Sequence, residues 1–473
     1  MHRAVELDRN QTWAQTLKYV GIPANFWKPA WEQPLNLYKA LAILGIAGPL
    51  FAQDTGPAIL SRGEAPPAMA SPDTEFRPFL TVTGTYDTGL AGVAVNSEKQ
   101  LVYSSSSGVR LDGGITGTHS WEHTKIMLTY AGSVIHYFQL ARDTTSQNLS
   151  LDIIHQFTPH VVLDVKESGA LLSQNYSSLG QTGTSDASQS NAPAVDFFNN
   201  RSTYLNTQAD LIVQESARLS FDIGATGSLC RLRSSGLYGD TYGNRGASAR
   251  GDVQYRLSEF TTIGAVYNYW NYSYTGTVGN VDIHDASGTF AAKLSPQWEF
   301  SGYAGFARLE SKFVQSIPLT PVVEQFLGIS SEPAVLYGVQ YIPIGTARLS
   351  RTFRTGVFSF TGEHTVTPGN GLFLTSKMIR GSLSYTYTGL RYWSFAAQAL
   401  YERGTSLANA TGTYGDFGGN VSVSRQIASG VHFVAGADVR RYQSPDIPLY
   451  NRIASNVHIG LGFVPGSVPL RFW

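Results

Sequence analysis

Few residues in this chain offer a start for catalysis. His119 and His123 lie four apart around Trp121, a spacing that gathers two imidazoles only on a helix, and the local pattern is a strand turn. His155, His160, His284, His364, His432 and His458 are scattered singly. Cys230 is the one cysteine, which excludes an intrachain disulfide and a zinc site built on several thiolates; it reads as a small residue near a strand end. No phosphate loop, zinc spacing or dinucleotide fingerprint is present. A Ser–His–Asp grouping assembled in space stays open, because Ser and Asp are plentiful. The expectation is no enzyme, no metal and no cofactor.

Charge carries more information. In an extended chain alternate residues share one face, and the charged residues are assigned to the polar face of each strand. The full set on that polar face is Arg110, Asp112, Lys125, Asp152, Asp164, Lys166, Asp210, Asp222, Arg250, Asp252, Arg256, Asp285, Lys293, Glu299, Arg348, Glu363, Glu402, Asp438 and Arg440.

The elements that must hold these residues are strands. Leu149, Leu151, Ile153 and Phe157 alternate with Ser150, Asp152 and Gln156. Leu219, Phe221, Ile223 and Ala225 alternate with Ser220, Asp222, Gly224 and Thr226, and Val431, Phe433, Ala435, Ala437 and Val439 with His432, Gly436, Asp438 and Arg440. Strict alternation means that one face meets something apolar and the other does not. Short turns such as Ser258-Glu259, Ser295-Pro296-Gln297, Ser350-Arg351-Thr352, Gly389-Leu390 and Ala428-Ser429-Gly430 alternate with long polar connections near 87–106, 175–200, 231–242, 312–335, 366–377 and 442–451. Charged residues are 14% of the chain, well under the roughly 25% of soluble domains. Mean hydropathy is −0.11, too low for a bundle of apolar helices but ordinary for strands that hide apolar residues at alternate positions. The net charge is zero, so no basic field invites nucleic acid.

The reading is all-β: a transmembrane, antiparallel, up-and-down β-barrel of about 18 strands, with 16 as the alternative, over residues 76–473. In hydrocarbon an open sheet edge leaves backbone groups without partners, and closure removes the edge. An even count puts both ends on the short-turn side. Trp121, Phe157, Phe260, Trp298, Phe353 and Trp393 then form an aromatic girdle there. Glu167 falls on an apolar face and Pro343 interrupts another strand; a bulge is the expected accommodation for either.

Ahead of the barrel, Ala40–Ala52 is an apolar run of signal-peptide length that follows Lys39. Residues 37–52 are read as a signal peptide, with cleavage leaving Gln53 first. Residues 53–75 are read as a flexible linker rich in Pro, Ala and Ser. The extension 1–36 is accounted for by a translation start set too far upstream, or by a genuine soluble segment.

The signal-like run, the hairpin pattern and the ending Val457–Trp473, which alternates up to an aromatic carboxyl end, together resemble porin-like bacterial outer-membrane barrels across roughly Phe76–Trp473. The resemblance implies short periplasmic turns, long extracellular loops and the outer membrane of a Gram-negative-type bacterium. It also implies outer-membrane lipid around the barrel, assembly machinery that engages the C-terminal strand, and a homotrimer as the common assembly. The nineteen charged residues become candidate pore-lining groups of a water-filled channel for small polar solutes or ions. A barrel serving export or assembly is the runner-up, and an outer-membrane enzyme ranks third.

Residues 77–339 hold 16 basic and 22 acidic residues, and residues 340–473 hold 12 and 5. The expectation is an acidic arc and a basic arc facing across the lumen, with a transverse field between them. The loop 175–200 has two readings, an inward constriction or an exposed surface loop. Within 312–335, Val322–Leu327 has two readings, a short helix against the wall or in the pore, or a partner contact.

Overall fold

The computed structural model describes residues 73–95, 101–139, 142–173, 201–233, 243–275, 279–318, 325, 331–368, 374–407, 412–445, 451–465 and 468–469. The segments 1–36, 37–52 and most of 53–75, the loop 175–200, Val322–Leu327 other than Gln325, and Trp473 lie outside them.

Eighteen long strands form one sheet. They are β1 (Asp73–Val95), β2 (Leu101–Ser120), β3 (Thr124–Tyr137), β4 (Arg142–Thr158), β5 (Val161–Ser173) and β6 (Arg201–Gln214). Next come β7 (Leu219–Arg233), β8 (Gly243–Ser258), β9 (Thr261–Thr275), β10 (Gly279–Lys293), β11 (Trp298–Pro318) and β12 (Ser331–Phe353). The last six are β13 (Gly356–Thr367), β14 (Ser376–Tyr387), β15 (Trp393–Ser406), β16 (Thr413–Ala428), β17 (Val431–Gln443) and β18 (Arg452–Phe463). Each pairs antiparallel with its sequence neighbours, and β1 pairs with β18 from Leu80↔Phe463 to Thr88↔Ser455. That last ladder closes the ring, and no sheet edge is left along it.

The short turns are made by hydroxyl side chains that satisfy turn amides. Ser216 Oγ accepts from the Arg218 and Leu219 amides, Ser258 Oγ from Phe260, and Ser295 Oγ from Gln297 and Trp298. β4, β8 and β16 each shift register just before their turns. The six expected girdle aromatics all sit at this end, in the turns or on the strand residues flanking them.

Outward and inward faces follow from parity. Val457, Ile459, Leu461 and Phe463 on β18 are exposed, as are Leu128, Tyr130 and Val134 on β3. On β18 the alternate neighbours on the other face are polar or small (Ala454, Asn456, His458, Gly460 and Gly462), whereas on β3 Met127 and Ile135 stand among Thr129, Ala131 and Ser133. A soluble protein does not expose an apolar belt of this extent; a bilayer covers it.

Two local expectations are corrected, and the end of the last strand is fixed. No bulge lies at Glu167, which stands in unbroken register opposite Thr207 and accepts that hydroxyl at 2.5 Å. None lies at Pro343, which pairs in step with Phe306. The final strand does not run to the carboxyl end: β18 stops at Phe463, and a separate two-residue strand, β19 (Val468–Pro469), pairs with Phe76 and Glu75. Two long connections also prove shorter than expected, because β1 and β2 extend through much of 87–106, and β11 and β12 through much of 312–335. Gly89, at φ +67°, ends the β1–β18 ladder; a Cβ there would meet the Ile453 carbonyl oxygen at 2.3 Å.

Candidate functional site: the charged inner wall

All nineteen sequence-derived positions have the parity of the inward face. The strands gather many of them into bonded groups on neighbouring strands.

The first group spans β5 to β10. Arg250 Nη2 donates to Asp210 Oδ1 at 2.8 Å and to Asp222 Oδ2 at 2.7 Å. Gln208 donates to Asp210 at 2.6 Å, and Lys166 Nζ lies 3.2 Å from Asp164 Oδ2. Gly224 makes the bridge over β7 feasible, since a Cβ there would stand 2.2 Å from Asp210 Oδ1. Gln254 donates to Asp252 at 2.8 Å, and Asn268 donates to Asp285 at 2.8 Å.

The second group spans the closure. Asn456 Nδ2 donates to Asp87 Oδ1 and to Thr85 Oγ1, both at 2.6 Å, and Asn456 Oδ1 lies 2.9 Å from His458 Nδ1. Arg110 Nε contacts both oxygens of Asp112, at 2.8 and 2.9 Å.

The third group spans β13 to β18. Glu363 and Arg380 are direct cross-strand neighbours, and Arg380 Nη2 donates to Glu402 at 3.0 Å. Arg440 Nη2 donates to Asp416 Oδ2 at 2.6 Å, and both side chains are almost wholly buried, at 5% and 1% exposure. Arg440 and Arg452 both stack on Tyr442. Lys125, Arg256, Lys293, Glu299 and Arg348 lie nearer the short-turn mouth, where Lys293 and Glu299 are cross-strand neighbours.

The opposed acidic and basic arcs are not present. Acid and base interleave within each group, so neither wall carries one sign. The basic excess of residues 340–473 stands largely on the outer face and in the turns. There Arg351 lies over Trp298 and Phe353, Arg391 over Tyr392, and Arg425 over Trp393. Planar guanidinium groups stack on girdle aromatics at the short-turn rim.

Asp87, Arg380, Asp416, Arg452 and Asn456 are inner-wall members that sequence reasoning missed. Asp87 was hidden because β1 continues into the expected loop. Arg380 and Asp416 could have been found from their alternation with Ile379 and Phe417, both exposed on the outer face.

One sector of the inner wall is apolar. Tyr272, Tyr274, Val281, Ile283, Leu309, Ile342 and Ile344 point inward from β9 to β12 and are buried. Their cover is the β13–β14 connection: Leu374 and Val366 pack on them. Tyr274 Oη donates to the Pro368 carbonyl at 3.1 Å, accepts from the Thr375 amide at 2.9 Å and shares a 2.5 Å hydrogen bond with Thr375 Oγ1. The β15–β16 connection joins in, with the Leu407 amide on the Thr375 carbonyl and Gln340 Nε2 on the Leu407 carbonyl. Leu374, Thr375 and Leu407, at the described ends of two connections, thus lie over the inner face.

Cys230 is buried on the inner face of β7. His119 packs edge-on against Trp121 and bonds Thr74 at 2.5 Å. Among the described residues no three His, Cys, Asp or Glu gather in a metal-binding arrangement.

No family model matches the chain. No curated protein matches it either. Among solved structures, OpdQ of Pseudomonas aeruginosa is similar at 10% identity over 84% of this chain and 98% of that one, with a TM-score of 0.41. A BenF-like porin from Pseudomonas fluorescens Pf-5 is similar at 9% identity over 84% and 99%, also at 0.41. The ferric-catecholate import receptor Fiu from E. coli K12 is similar at 8% identity over 78% of this chain, with a TM-score of 0.40. This chain spans 65% of the length of that receptor. By its own unbroken ring of antiparallel pairing and its lipid-suited exterior, the chain is a transmembrane β-barrel of porin-like architecture.

Proposed function

We propose that the protein is an outer-membrane channel through which small polar solutes or ions diffuse, in a Gram-negative-type bacterium. The observation that carries this reading is the inner wall itself. Charged and amide side chains from strands all around the ring face inward, although eighteen strands enclose more space than side chains fill. Such a wall is stable only if water wets it. Because acid and base are paired locally, the channel favours neutral polar or zwitterionic solutes and discriminates weakly between ions. Leu374, Thr375 and Leu407, which lie over the inner face, are taken as its narrowest part.

The same reading makes residues 37–52 a cleaved signal peptide and residues 53–75 a linker. It gives the strand Val457–Phe463 to assembly machinery, with Phe463 as its terminal aromatic, and it takes a homotrimer as the assembly. Catalysis has no place in it. The test is reconstitution of the purified protein in planar lipid bilayers. Stepwise, voltage-independent conductance is the expected result. A well-folded barrel that never conducts would exclude the channel and favour an export or assembly role.

A further inference from the structure

The rim on the short-turn side is not uniform in charge. From β12 to β17 the three turns and their flanking strand residues hold Arg351, Arg354, Arg391 and Arg425 and no carboxylate. From β2 to β9 the four turns hold Glu122, Glu215 and Glu259. Among the described residues none of the four arginines is ion-paired. Arg351 Nε is buried without a hydrogen-bond partner, and Arg351 Nη2 reaches Gln297 Oε1 only at 3.5 Å. Arg354, Arg391 and Arg425 are exposed.

Three of these guanidinium groups rest on rings. Arg351 lies 5.0 Å from the Trp298 ring centre and 4.5 Å from that of Phe353, Arg391 lies 4.7 Å from Tyr392, and Arg425 lies 5.1 Å from Trp393. A row of outward rings joins them. Phe353 meets Tyr385 at 6.3 Å, Tyr387 meets Phe395 at 6.2 Å, and Phe395 stacks on Trp393 at 5.9 Å. Neighbouring turns are tied through their backbones: the Thr352 amide donates to the Gln297 carbonyl at 2.9 Å, Thr388 to Thr355 at 2.8 Å, and Gln426 to Tyr392 at 2.8 Å. Tyr392 holds φ +69°, a left-handed conformation that is costly for a residue with a Cβ. The cations are therefore held in place before any ligand arrives. A guanidinium whose face rests on a ring keeps N–H groups at its edge for an anion.

We propose that this arc of the rim, from Trp298 on β11 to Arg425 on β16, binds the headgroup of an anionic glycerophospholipid in the leaflet on the short-turn side. The phosphodiester takes the guanidinium N–H groups, the row of rings meets the glycerol, and the acyl chains run along the apolar belt past Phe360 and Leu383, both exposed on the outer face. Charge complementarity selects an anionic head. A zwitterionic head brings an ammonium group that would stand among four guanidinium groups with no carboxylate to meet it. Position selects a lipid over a dissolved anion, because Arg351 and Arg425 stand on the outward face, paired across strands with Trp298 and Trp393, and that face continues into the belt. The site rests on the membrane-spanning fold and is independent of ion conduction.

The test uses the full chain in phosphatidylcholine vesicles that contain a small fraction of phosphatidylglycerol. Each lipid in turn carries a diazirine on the acyl chain near the glycerol, and labelled positions are mapped by peptide mass spectrometry after irradiation. Trp121 and Phe260, beside Glu122 and Glu259, serve as the reference arc. Per lipid molecule, phosphatidylglycerol should label Phe353, Tyr385 and Phe395 about fivefold more than phosphatidylcholine does, with no such preference at the reference arc. The triple variant Arg351→Gln/Arg391→Gln/Arg425→Gln should abolish the preference. Equal labelling by the two lipids at the arginine arc of the native protein, or the same enrichment at both arcs, overturns the proposal even if the variant fails to fold. Enrichment that survives in a folded variant overturns it too. Excess soluble glycerophosphoglycerol or an acidic peptide should leave the label in place. Displacement by the first would make the arc a site for dissolved phosphate, displacement by the second a protein-docking surface, and either would defeat the lipid assignment. Conductance of the same vesicles reports on the channel separately. Enrichment without conductance defeats the channel and leaves the lipid site; conductance without enrichment does the reverse.

Discussion

Arg250 stands between two carboxylates, and its removal has a directional consequence. Arg250→Gln leaves Asp210 and Asp222 facing the bore without their shared cation. The reversal potential across a potassium chloride gradient should move toward cations, with the permeability ratio changing roughly twofold. Glu167 makes the opposite kind of test, because it faces outward among Leu163, Val165 and Leu171 and leans on Thr207 for its hydrogen bond. Glu167→Leu should stabilise the barrel by about 1 kcal/mol in urea unfolding from vesicles, since a lipid-facing acid costs less than the 2–4 kcal/mol of a base. At this scale much was legible in the sequence. A two-residue step fixes the face of a side chain whatever the register, so Asp164 and Lys166 could be placed together before any neighbour was known. What could not be read was partnership. The Arg250 bridge reaches across β7 over Gly224, and only the pairing of three strands brings Asp210 within 2.8 Å.

The elements differ most from expectation where alternation fails. On β10 and β12, Val281, Ile283, Ile342 and Ile344 are apolar residues on the polar face, and in Tyr341-Ile342-Pro343-Ile344 both faces are apolar. Such a run has no period to read. Its cause lies elsewhere in the chain, in the β13–β14 connection that covers it. Tyr274 is the joint between the two. Tyr274→Phe deletes the hydroxyl shared with Pro368 and Thr375 while keeping the ring on Phe313. A hydrogen bond of this kind is worth about 1 kcal/mol, so the undocked population of the hairpin end should rise roughly fivefold. Single-channel recordings should show larger mean conductance and more open-state noise; an unchanged trace would mean that the hairpin end does not constrict the bore. The ends of the strands were also misjudged for a physical reason. Past Asp87 and Lys312, β1, β2, β11 and β12 continue as paired strands, with two register shifts between β1 and β2, although their Ser, Gly and Pro content is that of loops.

The whole molecule was the most legible level, because closure is forced. Eighteen amphipathic strands in hydrocarbon have one arrangement that leaves no edge, and the β1–β18 ladder supplies it. Sign distribution was not legible at this level. The count of basic residues in 340–473 is a property of the chain, whereas the field in the bore depends on which of them turn inward; Arg351, Arg391 and Arg425 do not. The central claim is that oil lies outside the ring and water inside it, and a cysteine scan of β3 tests that directly. In a Cys230→Ser background, single cysteines replace Lys125, Met127, Thr129 and Ala131 on the inner face and Ile126, Leu128 and Tyr130 on the outer face. Intact vesicles are then exposed to a charged, water-soluble maleimide. The structure predicts reaction at the four inner positions and protection of Leu128 and Tyr130; uniform protection, or reaction with the two faces exchanged, would contradict it.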